Sequence, residues 1–355
     1  MPSSTSSFDR PVPARRWGAI LAAAAVTTAL MAGGWEMWWR SRGYQPSLED
    51  DPDLWAAARS RVDSARRDQI ILVGDSRTLF DMDLVELQRG LGGPLPIQLA
   101  TVGTNPLFML EQLAGEDAVR GTVIVGVTPG LYFLPAGMAE ELPRKGLKRY
   151  QAWSLAQKAS FRLFMLLDRR LAFLNSEMLS LRKLIEHVDL PQRDGVDASW
   201  VPFIHTIDRD RRAKLRSAIE TDAAFRDQVR AIWMAFIPPP PPDPRLAEAE
   251  REGERQRTLW RSFAAVERIR ARGGRVIYVL MPSSGALRDV EEKGFPRRRW
   301  WNALLAATGA PGIDYREHRE LARFDCPEWS HLSAADSVEF TRRLVPLLKP
   351  HLGPR

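Results

Sequence analysis

Four short runs of aliphatic and β-branched residues recur along the chain: IILV at 70–73, IQLA at 97–100, TVIVGV at 122–127 and RVIYVL at 275–280. None alternates with polar positions, which is how strands buried on both faces of a sheet read. Between the first two, LFDMDLVELQRGL carries apolar residues at helical spacing and stops at Gly92 and Gly93, so it predicts a helix. A shorter helix is expected around Asp53–Arg66. Strand and helix in alternation predict an α/β fold, a mostly parallel sheet with helices on both sides.

Residues 140–270 interrupt that alternation. FRLFMLLDRRLAFLNSEMLSLRKLIEHV has helical periodicity over several turns and reads as part of an inserted helical subdomain or lid. IPPPPPDP at 237–244 predicts an extended polyproline II segment, because proline has no N–H for a ladder or a helix interior; it serves as a stiff spacer or a docking site for a proline-binding partner. RLAEAEREGERQRTLWRSFAAVERIRARGG then predicts one long helix closed by Gly273 and leading into RVIYVL.

The first forty residues follow another pattern. From Trp17 to Trp35 there are nineteen residues without a charge. At about 1.5 Å per residue these just cross a bilayer core. Trp35, Trp38 and Trp39 suit an interfacial aromatic belt, and Arg10, Arg15 and Arg16 favour an amino terminus left in the cytoplasm. A cleaved signal peptide is the rival, since Ala32, Gly33 and Gly34 are small enough for a peptidase site, and a buried core helix is a third reading. The expected organisation is a cytoplasmic tail at 1–16, a transmembrane anchor at 17–39, a linker and short helix at 40–66, an α/β domain in two parts at 67–139 and 271–355, and the helical insert at 140–270.

Composition narrows the function classes. The 355 residues are 45% hydrophobic and 27% charged, as in ordinary globular proteins. The net charge of +7 comes from arginines spread through segments such as DRDRRAKLR and FPRRRWW. That distribution argues against a nucleic-acid groove and for a solvated surface, or one facing anionic glycan or lipid. The single cysteine, Cys326, excludes an internal disulfide and a cysteine-based zinc cluster. No glycine-rich phosphate loop follows any strand, so no nucleotide cofactor is expected; no metal is assigned to the candidate site either.

Candidate chemistry centres on Gly74-Asp75-Ser76, at the end of the first strand. A serine there faces the crevice beyond the carboxyl ends of the strands, at the positive end of a helix that favours a developing oxyanion. It equally suits a helix cap. A serine hydroxyl needs a base. His187 and His205 in the insert, His318 in DYREHRE and His351 in the tail read as surface or partly packed imidazoles. His331 lies instead on a proline-containing loop, FDCPEWSHLS, before the last amphipathic helix. Glu328, three residues earlier, has the spacing to hold the far ring nitrogen, and Asp325 is an alternative acid. In the competing reading Ser330 or Ser333 caps the last helix and His331 is incidental.

Gly74-Asp75-Ser76, the glycine after the second strand in ATVGTNP, and an acid three residues before His331 together resemble the block pattern of the SGNH (GDSL-type) hydrolases and acyltransferases, over roughly residues 68–135 and 272–350. The resemblance implies a flavodoxin-like three-layer sandwich, acylation of Ser76, His331 as base, Glu328 where the family usually has Asp, and an oxyanion held by the amides of Ser76 and Gly103. The family's third block supplies an Asn side chain after the third strand, where this chain has Thr128 in VIVGVTPGLYF. Asn105 is the substitute donor, or a turn residue before Pro106. Ser283 and Ser284 read as loop residues with a possible substrate contact, and Arg77 as an exposed cation or an attractor of anionic substrate. RRRWW at 297–301 reads as the start of an amphipathic helix. By the same resemblance the chain is a single-pass protein of a bacterial inner membrane with its domain in the periplasm. It is expected to be a serine esterase or O-acyltransferase acting on an acylated envelope glycan, beside a multipass acyl-transporting membrane partner. A non-catalytic envelope scaffold or binding protein is the alternative.

Overall fold

The computed structural model describes residues 16–175, 203–237 and 244–353. Its strands are β1 (Ile70–Val73), β2 (Ile97–Gln98), β3 (Thr122–Val127), β4 (His205–Ile207), β5 (Ala213–Leu215), β6 (Arg275–Leu280) and β7 (Gly312–Asp314). Five of them form one sheet in the order β2-β1-β3-β6-β7, and every pairing in it is parallel. β1 and β3 are buried along their whole length, which is why the uninterrupted apolar runs were needed. β7 was not anticipated, being three residues long and opening on a glycine at the sheet edge.

The second strand is shorter than its apolar run. β2 ends at Gln98, whose side chain turns back to accept the N–H of Ala100 at 3.1 Å. Arg211, fully buried, takes the carbonyls of Gln98 and Ala100 at 3.1 and 2.9 Å, so this sheet edge is sealed by a side chain instead of another strand.

LFDMDLVELQRGL forms two helices, Ser76–Asp81 and Leu84–Leu91, where one was expected. Asp83 makes the break: its carboxylate accepts the N–H groups of Val85 and Glu86, both at 3.0 Å, and so starts a new helix. The terminal helix Ala334–Leu348, capped by Ser333, packs against both on one face of the sheet. Pro106–Ala114, Pro244–Ala271 and Trp301–Thr308 cover the other. Leu259, Val266 and Ile269 of the long helix lie in the main core, so the last part of the 140–270 segment packs as a layer of the sandwich.

The insert is not purely helical. Helices Glu141–Gln151 and Leu155–Asp168 are followed by the antiparallel hairpin of β4 and β5, then by helices Ala218–Thr221 and Ala223–Ala235. Leu79, Phe80 and Ala100 of the sandwich share a second apolar cluster with Ile204, Ile207, Leu215, Ile219 and Val229 of the insert. The insert therefore sits on the sheet beside β1 and β2. His187, the latter half of the long apolar segment and most of the proline run lie outside the described residues.

The first helix, Trp17–Ser41, has 25 residues and is long and apolar enough to span a membrane. Its apolar window is 0% buried, so it is not a core helix. Trp35 stacks on Trp38 at 5.1 Å between ring centroids, and Trp39 meets both edge-on. Near its end Glu36 accepts the N–H groups of Ala172 and Phe173 at 2.9 and 3.2 Å, and Arg40 donates to the carbonyl of Arg170 at 2.8 Å.

Candidate active site

The strand order reverses its direction of winding between β1 and β3, and the crevice beyond the carboxyl ends of such strands is where α/β sheets bind ligands. Ser76 stands there, directly beyond β1. It is not the cap of its helix: Asp75 is, accepting the N–H of Arg77 at 3.0 Å. That leaves the Ser76 hydroxyl for another partner. The helix can approach the sheet closely because residues 74 and 126 are glycines; a Cβ at either would collide with Thr78 Oγ1.

Ser76 Oγ lies 2.8 Å from His331 Nε2, and His331 Nδ1 lies 2.7 Å from Glu328 Oε1. An ionised carboxylate only accepts, so Nδ1 carries the proton and Nε2 is left to accept from the serine hydroxyl. Ser76 is partly exposed, whereas His331 and Glu328 are buried. The Glu328 carboxylate also accepts the backbone N–H of His331 at 2.7 Å, that of Ser330 at 3.2 Å, and the indole N–H of Trp233. Burial alone pushes its pKa up, but the His331 charge and hydrogen bond, with Trp233 and Ser330, bring it below the ordinary carboxylate value.

The loop carrying this pair is held from several sides. Asp81 Oδ1 accepts the N–H of Leu332 at 2.9 Å. Arg230 of the insert gives two hydrogen bonds to the Pro327 carbonyl, at 3.1 and 2.6 Å. Ser284 donates its N–H to the Trp329 carbonyl and accepts the N–H of Cys326 on its hydroxyl, at 2.9 and 2.8 Å. Trp329 has φ +77°, a left-handed conformation that costs a side chain about 1–3 kcal/mol and persists only where its surroundings enforce it.

Several expectations are corrected here. Asp325 is exposed and makes no bond to His331, so the loop's acid is Glu328. Asn105 spends its carboxamide elsewhere: Oδ1 caps helix Pro106–Ala114 through the N–H of Leu107 at 3.0 Å, and Nδ2 donates to the Leu134 carbonyl at 3.2 Å. It is the turn residue, not the spare oxyanion donor. Arg77 is 3% exposed and pairs with Glu291 at 2.5 and 3.1 Å, so it is no surface cation. Ser283 donates to the same Glu291 at 2.7 Å, so of the two serines in the 282–284 loop it is Ser284 that braces the histidine loop. Arg297 and Arg299 are paired with Asp314 and Glu252 at 2.8 and 2.6 Å, and Trp300 and Trp301 are buried. Ser333 does cap the last helix, yet His331 is not incidental to that turn.

For an oxyanion, the backbone N–H groups of Ser76 and Gly103 donate to nothing among the described residues. Gly103 is exposed with φ +61°, and the space where its Cβ would stand is open. Thr128, at the end of β3, keeps a buried hydroxyl without a partner among the described residues.

Sequence reading missed Trp233, Arg230 and Asp81. The first two sit on helix Ala223–Ala235 of the insert, where no motif marks them, and Asp81 is one polar residue inside LFDMDLVELQRGL. His205, also read as ordinary, packs against Phe80 at 4.7 Å, and Phe80 meets His331 at 4.6 Å. Burial lowers the His205 pKa to about 4. Among the described residues no three His, Cys, Asp or Glu side chains are grouped to hold a metal. The chain matches no protein-family profile, no curated protein and no solved structure.

Proposed function

We propose that this protein is a membrane-anchored serine acyl-transfer enzyme of the SGNH type. The observation that carries the reading is the hydrogen-bonded chain from Ser76 through His331 to Glu328 at the open end of the sheet. Ser76 Oγ attacks the carbonyl carbon of an ester, and His331 Nε2 takes its proton as the Oγ–C bond forms. The Ser76 and Gly103 amides steady the tetrahedral oxyanion. As the intermediate collapses, His331 returns the proton to the departing alcohol oxygen. Glu328 stays ionised and stabilises the imidazolium meanwhile.

The acyl group on Ser76 then passes to water or to a sugar hydroxyl, with His331 again the base. Helix Trp17–Ser41 and the arginines before it support an inner-membrane protein whose folded domain faces the periplasm, with an acylated envelope glycan as substrate and a multipass acyl-transporting membrane protein as neighbour.

A fluorophosphonate probe applied to the full chain in detergent tests this. Covalent labelling that disappears in Ser76→Ala is the expected result. The second reading is a non-catalytic envelope scaffold, favoured by Thr128 standing, buried, where an exposed side-chain donor is expected. Folded wild-type protein that takes up no probe would decide for the scaffold.

A further inference from the structure

Helix Leu155–Asp168 is amphipathic the wrong way round for a helix on a water-facing surface. Gln157, Phe161, Met165 and Asp168 are partly covered and line a cavity against the protein, and Lys158, also partly covered, lies over the Trp153 ring. The opposite side carries Leu155 at 85% exposure, Leu163 at 62%, Leu166 at 45% and Leu167 at 47%, with Ala156 and Ala159 between them. At 3.6 residues per turn these six fall on one continuous face. Phe164, 59% exposed, lies at its border, as does Arg162 on the other side. Contiguous apolar surface of this kind marks a site covered by something apolar.

The neighbouring contacts say what covers it. The chain leaving this helix passes through Arg170, Ala172 and Phe173, the residues bonded to Arg40 and Glu36 in the last turns of the membrane-spanning helix. The tryptophan cluster Trp35, Trp38 and Trp39 sits at that same level, and such clusters lie at the height of lipid headgroups. Lys158, Arg162, Arg169 and Arg170 add cations in and just after the helix, suited to an anionic headgroup layer. We infer that helix Leu155–Asp168 lies in the bilayer interface, its leucine face in the acyl-chain boundary, as a second point of membrane attachment for the insert. The inference rests on helix Trp17–Ser41 crossing the bilayer.

The test places single cysteines at 26, 163, 166 and 298 of the full chain and labels each with an environment-sensitive fluorophore; the native Cys326 is fully buried. The protein is reconstituted in phosphatidylethanolamine and phosphatidylglycerol vesicles with and without nitroxide-bearing acyl chains. Emission from Leu163→Cys and Leu166→Cys is expected to fall about twofold or more with the nitroxide lipid, as for any helix seated about 5–10 Å into the interface. Val26→Cys is quenched as well, and Arg298→Cys is not. Quenching at 26 without quenching at 163 and 166 overturns the inference and leaves the anchor standing. In that case, quenching of 163 and 166 by aqueous iodide marks a solvated face, and quenching by neither agent marks a face covered by protein, from residues 176–202 or a second copy. No lipid quenching at 26 removes the anchor and the inference together.

Discussion

Trp233 donates its indole N–H to one oxygen of Glu328, and the other oxygen of that carboxylate receives His331. The insert thus contributes directly to the state of the carboxylate that holds the His331 ring. Arg230, one helical turn earlier, grips the same loop at Pro327.

Trp233→Phe keeps the aromatic packing against His331, now at 5.8 Å between centroids, and removes only the donor. The remaining bonds to Glu328 hold the carboxylate, so the change costs about 1.5–3 kcal/mol of its stabilisation. Fluorophosphonate labelling of Ser76 is expected to slow about tenfold, with a fall of a few degrees in the thermal midpoint. An unchanged labelling rate would show that the indole only fills space.

Glu328→Gln replaces the acceptor of the Nδ1 proton by a neutral amide. Comparable removals of the charged acid in serine triads cost about 10⁴-fold, and a loss of that order in labelling rate is expected here. Asp325→Asn, at an exposed position, leaves the rate unchanged. Equal losses from the two substitutions would contradict the assignment of the acid.

Burial pushes the Asp81 carboxyl well above the ordinary range, while Oδ1 accepts the N–H of Leu332. Asp81→Asn keeps an oxygen acceptor for that N–H in a neutral side chain and is expected to shift stability by less than about 1 kcal/mol. Asp81→Ala leaves a buried N–H unpaired and costs about 1–3 kcal/mol. Thermal unfolding of the two variants in the same detergent checks the order.

The buried pair of Arg77 and Glu291 predicts non-additivity. Glu291→Leu alone strands a guanidinium that is nearly inaccessible to water, which costs about 3–5 kcal/mol. Arg77→Met combined with Glu291→Leu removes both charges and recovers most of the loss. A double variant less stable than Glu291→Leu would count against this account.

His205 predicts a pH dependence. Its folded pKa of about 4 lies below the ordinary histidine value of 6.5, so the unfolded chain binds the proton more readily. Stability from this group is intact above about pH 6.5 and declines as pH falls toward 4. Asp75, Asp81 and Asp51 have raised values and oppose that trend, so only a comparison isolates it. His205→Phe, stacked in the same place, is expected to lose less of its thermal midpoint than wild type between pH 7 and 4.5. Parallel curves would remove His205 from the effect.

What could be read in the sequence was what depends on neighbours along the chain. β1, β3 and β6 are continuous apolar runs because both faces are covered, and Ser76 and His331 are each framed by a strand end or a loop that local residues define. Glu328 was readable for the same reason, three positions from its histidine. What could not be read depends on distant partners. Arg77 looks like a surface cation until Glu291, 214 positions away, meets it in the core. Asn105 suits a turn before Pro106 or an oxyanion donor, and the Leu107 N–H and the Leu134 carbonyl together take its carboxamide. Trp233 gives no signal at all until its helix is folded against the histidine loop.

Thr78 rests in a notch cut by two hydrogen atoms, one on Gly126 within β3 and one on Gly74 directly after the neighbouring strand β1. The position of the Ser76 hydroxyl is therefore set by what two residues lack. A methyl group at either point would tilt the first turn of the helix off its seat and carry the oxygen out of reach of the imidazole, with every polar side chain around it still present.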